Sequence, residues 1–88
     1  MKRSLDIAKI LNHYGRIQQM NKTLEELAEL QVAIAHEDKK EKVLEELADV
    51  HVMAEQVRLM WSINEDELDR MIDYKVDRTL ERIKNETN

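Results

Sequence analysis

The 88-residue sequence has no cysteine, no proline, no phenylalanine and a single glycine. Without cysteine there is no disulfide, no thiolate nucleophile and none of the usual zinc clusters. Without proline, and with Gly15 as the lone glycine, only one point near the N-terminus carries a strong helix breaker. No apolar run is long enough to span a membrane, and the opening MKRSLDIAKI lacks the continuous apolar core of a signal peptide. A soluble, cytoplasmic chain with no membrane partner is therefore expected. Excess positive charge is also missing. A net charge of −5 argues against a nucleic-acid polymer as the main partner, because phosphate backbones demand a basic footprint. Small phosphorylated ligands are not excluded, since a bound cation can screen their charge.

What the chain does contain is Leu, Glu, Lys, Ala, Met and Ile, the strong helix formers. The expectation is an all-α fold and one domain over residues 1–88. A chain this short buries only about 60–65 % of its unfolded surface, so a homo-oligomer, dimer or tetramer, is expected to complete the core.

Apolar spacing divides the chain into four helices. The first starts near Ser4, whose hydroxyl can cap free amides, and stops at His13-Tyr14-Gly15. The second runs from about Arg16 to His36 with Ile17, Met20, Leu24, Leu27, Leu30 and Ile34 as its packed stripe. Asp38 and Glu41 have capping-box spacing and start the third, whose stripe is Val43, Leu47, Val50, Ala54, Val57 and Trp61. Asn64 and Glu67 repeat the box for the fourth, striped by Leu68, Met71, Ile72, Val76, Leu80 and Ile83. The final NETN should fray.

Two acidic hexapeptides stand out, EELAEL at 25–30 and EELADV at 45–50. In each, two carboxylates three residues apart share a helix face: Glu26 with Glu29, and Glu46 with Asp49. If the second and third helices form an antiparallel hairpin turning near 37–38, residues whose numbers sum to 75 face each other. Glu26 then meets Asp49 and Glu29 meets Glu46, all roughly 12 Å from the turn. Carboxylates converging there would repel and take up protons; a divalent cation relieves the repulsion, and oxygen-only ligands suit Mg²⁺ or Mn²⁺ better than zinc. The same spacing also describes two ordinary solvated helix faces. A di-iron bundle would need ExxH pairs, and the residues three before His13, His36 and His51 are Ile10, Ala33 and Ala48.

ExxE, sixteen intervening residues and ExxD, with HYGRIQQMNKTLEELAEL, EELADVHVMAEQV and YKVDRTLERI around them, resemble the MazG-like family of all-α nucleoside triphosphate pyrophosphohydrolases, in its small phage- and Firmicute-type form. The resemblance covers nearly the whole chain from Leu5 to Ile83. It implies a four-helix MazG-like bundle built around an antiparallel hairpin and completed by oligomerisation. It also implies Mg²⁺-dependent cleavage of an NTP or dNTP between the α and β phosphates, with Glu26, Glu29, Glu46 and Asp49 as metal ligands and catalytic carboxylates. The phosphoribosyl-ATP branch fits less well, because the His expected one turn after the motif Asp is Met53 here.

Around these carboxylates, Gln18 and Lys22 precede Glu26 at four-residue steps, suited to base or sugar and to phosphate respectively; the alternative is a surface Lys–Glu pair. Gln56 falls on the Asp49 face, where an amide could contact ligand. Lys75 and Arg78, on a basic stripe with Arg82, could clamp the leaving pyrophosphate. Trp61, His51 and Tyr14 are read as packing or interface residues. The readings from other classes are a non-catalytic nucleotide or metal sensor and a helical interaction module.

Overall fold

The computed structural model describes residues 2–86 and contains four helices and, among those residues, no strand. They are α1 (Ser4–Tyr14), α2 (Arg16–Ala35), α3 (Lys40–Met60) and α4 (Glu65–Glu86). None of the described helices is long and apolar enough to cross a membrane. Of the NETN tail, the first two residues continue α4 and the last two lie outside the described residues.

Gly15 separates α1 from α2. Its φ of 90° belongs to the left-handed side that favours glycine; its N–H donates to the Leu11 carbonyl and its carbonyl accepts from Gln19. The two later turns share one device without glycine. Glu37 (φ 50°) and Ser62 (φ 53°) take the left-handed position, and the following N–H groups, of Asp38 and Ile63, reach back to the carbonyls of Ala33 and Arg58.

Only one of the expected side-chain caps forms. Asn64 and Glu67 bond reciprocally, the Glu67 N–H to Oδ1 at 2.8 Å and the Asn64 N–H to Oε1 at 3.1 Å. Asp38 and Glu41 do not, because the turn occupies Asp38 and α3 begins only at Lys40, with Lys39 at the cap position and no side-chain cap bond. Ser4 is likewise already inside α1, behind Arg3; its hydroxyl donates instead to Oε2 of Glu55.

The antiparallel hairpin of α2 and α3 forms the body of the molecule, and α1 packs on both of its helices. Among the described residues α4 does not pack along any of the other three helices, although Glu65 at its base stands 3.7 Å from the Arg58 guanidinium. The hairpin interior is unusually polar. The buried apolar residues are Ile7, Ala33, Met53 and Met60, whereas Gln19, Thr23, Glu26, Glu46, Glu55 and Gln56 are buried beside them. The stripes expected to pack are instead turned outward: Ile17, Leu24, Leu27 and Ile34 on α2, Leu47 and Trp61 on α3, and the whole α4 stripe are exposed. The contact face of the hairpin therefore lies beside the apolar stripes rather than on them.

Candidate metal centre

The hairpin brings the two hexapeptides together. One carboxylate oxygen from each of Glu26, Glu46 and Asp49 lies within 4.8 Å of the others. Glu26 and Glu46 are buried, at 6 % and 3 % exposure, while Asp49 is exposed at the mouth. Glu29 is exposed and outside this trio. It nevertheless belongs to the same electrostatic cluster, because the Glu26 charge and the Glu46 carboxylate hold its pKa above the ordinary value.

Each buried carboxylate is half satisfied. Oε1 of Glu26 is 3.1 Å from the Lys22 ammonium and Oε1 of Glu46 is 2.8 Å from that of Lys42. Oε2 of both is buried without a hydrogen-bond partner. The hydrogen bond from Lys42 lowers the Glu46 pKa, and the bonds to Glu46 and Glu26 raise those of Lys42 and Lys22. Asp49 has no lysine, and desolvation followed by the Glu26 charge raises its pKa. Two lysines thus offset part of the negative charge and leave one buried oxygen of each glutamate without a partner, in carboxylates that converge with Asp49. A hard divalent cation fits that donor set: oxygen ligands alone, several of them ionised, with an open side toward solvent. Buried acceptors normally find partners, so the orphaned pair is the observation on which this fit rests.

Lys42 is a participant that the sequence reading above misses. The signal for it was present, because the repeat extends three residues upstream of each hexapeptide: KTLEELAEL at 22–30 is matched by KVLEELADV at 42–50. Both lysines stand four residues before the glutamate they neutralise.

The remaining candidates fall in three places. Gln18 and Lys22 line a hollow of about 490 Å³ beside α1, together with Tyr14, Gln19 and Met53. Gln56 is fully buried and neither atom of its amide has a partner. Lys75 and Arg78 are exposed on α4, which packs on neither carboxylate-bearing helix, and the Arg78 guanidinium lies 5.7 Å from the Tyr74 ring centroid. Within one chain these two are not gathered with the carboxylates. Trp61, His51 and Tyr14 are exposed rather than packed in the core, Trp61 lying 4.4 Å beneath the Arg16 guanidinium.

A second charged cluster ties the base of α4 to the body. Arg58 grips Glu55 with both ends of its guanidinium, at 2.6 and 2.8 Å, and donates to the Ile63 carbonyl at 2.8 Å. The Arg58 bond first, then the Ser4 hydroxyl against the cost of burial, lowers the Glu55 pKa to about 2. No protein-family model, curated protein or solved structure matches the chain.

Proposed function

We propose that the chain is a Mg²⁺-dependent nucleotide pyrophosphohydrolase that cleaves a (d)NTP to the monophosphate and pyrophosphate, with Mn²⁺ as an alternative ion. The observation that carries this reading is the convergence of the Glu26, Glu46 and Asp49 carboxylates in the hairpin, with one oxygen of each buried glutamate left without a partner. The resemblance of the two acidic motifs to the MazG-like family supplies the reaction class.

Glu26, Glu46 and Asp49 would hold the ion, with Glu29 at the exposed edge. The bound cation supplies charge neutralisation of phosphate oxygens and a more acidic water. In the reaction a water oxygen bonds to the α phosphorus and the bond from that phosphorus to the bridging oxygen breaks. The electron pair stays on pyrophosphate and a proton leaves the attacking water. Asp49 and Glu29 suit the role of proton acceptor: both are exposed enough to reach water, and both have raised pKa values. Lys22 and Lys42, freed from their glutamates by the ion, would turn to phosphate oxygens. Gln18, at the rim of the 490 Å³ hollow beside Lys22, would meet the base or sugar.

The test is pyrophosphate release from a panel of NTPs and dNTPs with Mg²⁺ or Mn²⁺, beside Glu46→Gln. Metal-dependent release abolished by the substitution supports the proposal. Absence of release on every nucleotide, from folded protein, overturns it.

A further inference from the structure

Each lysine of the carboxylate cluster stands four residues before its glutamate, Lys22 before Glu26 on α2 and Lys42 before Glu46 on α3. Because the two helices are antiparallel, that one spacing brings the ammonium groups in from opposite ends of the hairpin. Lys42 approaches from the turn and Lys22 from the α1 side. In the register that sets Glu26 against Asp49, Lys22 lies level with Met53, so roughly 16 Å of hairpin separates the two lysine backbones at 1.5 Å per residue.

The two ends differ in chemistry. Beyond Lys22 the groups are neutral: Gln18, Tyr14 and Met53 on the wall of the 490 Å³ hollow, and the buried, unpartnered amide of Gln56. Beyond Lys42 lies the positive end of α3, which begins at Lys40 with Lys39 at the cap position and no side-chain cap bond. Formal charge gives both lysines a second task. Glu26, Glu29, Glu46 and Asp49 carry four negative charges, and the two ammonium groups return two. One divalent cation balances the remainder. A polyphosphate laid over the loaded site then meets an ammonium at each end.

We infer that the hairpin imposes a direction on its substrate: the nucleoside lies at the α1 end, the phosphate next to it meets Lys22, and the two phosphates that leave as pyrophosphate meet Lys42 at the turn. This rests on the proposed pyrophosphohydrolase reading and adds a leaving-group subsite to it. Within the chain, Lys42 takes the place expected for Lys75 and Arg78, which are exposed on α4 and not gathered with the carboxylates. When water adds to the α phosphorus and the bond to the bridging oxygen breaks, the electron pair stays on pyrophosphate. The water proton passes to Asp49 or Glu29. Negative charge therefore develops on the Lys42 side, where an ammonium stabilises it. Lys22 holds what remains, the nucleoside monophosphate.

Isothermal titration with the two halves of the substrate separates the ends, at Mg²⁺ concentrations that saturate every variant. The probes are imidodiphosphate, a hydrolysis-resistant pyrophosphate, and a set of nucleoside 5′-monophosphates. Lys42→Met should weaken imidodiphosphate binding by about tenfold, the equivalent of one charge-assisted hydrogen bond, and leave the monophosphates unchanged. Lys22→Met should do the reverse. Lys42→Arg keeps the charge and should restore imidodiphosphate binding. Lys42→Gln, polar and uncharged, gives the same comparison should circular dichroism show that the apolar side chain disturbs the helices. Equal losses of both probes in both lysine variants overturn the direction and leave the pyrophosphohydrolase reading standing. So does an uncharged residue 42 that binds imidodiphosphate as the parent does. A parent that takes up neither probe with Mg²⁺ bound overturns that reading and the inference with it.

Discussion

The Lys42 ammonium stands 2.8 Å from Oε1 of Glu46, and the other oxygen of the same carboxylate is buried without a partner. Lys22 and Glu26 repeat the relationship at 3.1 Å on the facing helix. One residue pattern, lysine four before glutamate, is thus used twice to hold two buried anions against a third carboxylate. The lysines stabilise the cluster without satisfying it, and a cation would compete with them for the same two carboxylates.

That competition has a measurable sign. Lys42→Met removes a positive charge beside the proposed cation site, so Mg²⁺ and Mn²⁺ should bind several-fold more tightly than to the parent by isothermal titration. Turnover should fall in the same variant, because the ammonium proposed to meet phosphate is gone. Tighter ion binding with lower turnover separates this role from a surface ion pair, whose loss would leave both unchanged.

Acid should act on the carboxylate cluster in the opposite direction from its usual effect on proteins. Asp49 and Glu29 have raised pKa values, so in mild acid the folded chain binds more protons there than the unfolded chain. Stability from these two groups therefore increases as pH falls from 7 through their raised pKa values toward the ordinary carboxylate range. Without metal, the melting temperature should rise between pH 7 and pH 5, and the rise should shrink in Asp49→Asn and Glu29→Gln. Mg²⁺ affinity should fall over the same interval as protons take its place. A melting temperature unchanged or falling over that interval would count against the clustered-anion account.

Glu55 behaves conversely. Its pKa is lowered to about 2, so the stability it contributes is complete above the ordinary carboxylate pKa near 4.5 and is lost as pH falls through 2. Arg58→Ala leaves this carboxylate buried and unpaired, which costs about 3 kcal/mol or more. A fall in melting temperature of at least about 10 °C should follow for a chain of this size. Glu55→Gln should be milder and should flatten the acid limb of the stability profile below pH 4.5.

Periodicity and spacing were enough to recover the four helices, the hairpin turn and the Asn64–Glu67 cap. The register that brings Glu26 to Asp49 follows from the turn position alone, because an antiparallel pair has one free parameter. What covers each helix face was not legible. A stripe such as Leu24, Leu27 and Ile34 announces that a face is apolar but not whether its cover comes from the same chain, and here the hairpin meets through Gln19, Thr23, Glu26 and Glu46 instead. The Asp38–Glu41 box failed for a local reason: spacing identifies a box only when the preceding turn ends one residue before it. Lys42 lies outside the carboxylate motif, and its pairing with Glu46 shows only where the repeat is followed three residues upstream, to KTL and KVL.

Gln56 offers a separation of structure from function at a single side chain. Its amide is fully buried and neither the oxygen nor the nitrogen has a partner. Such a group destabilises a fold by about 1–3 kcal/mol relative to a satisfied one. An apolar side chain of similar volume avoids that cost, so Gln56→Met should raise the unfolding free energy by about 1 kcal/mol in urea titration. If the amide serves only packing, turnover should be unchanged or improved. If it is held unsatisfied for a ligand that reaches it, the stabilised variant should lose nucleotide affinity by roughly tenfold, the equivalent of a hydrogen bond of about 1.4 kcal/mol. A variant both more stable and less able to bind nucleotide is the outcome expected here, because Gln56 shares a face of α3 with Asp49, two helical turns away.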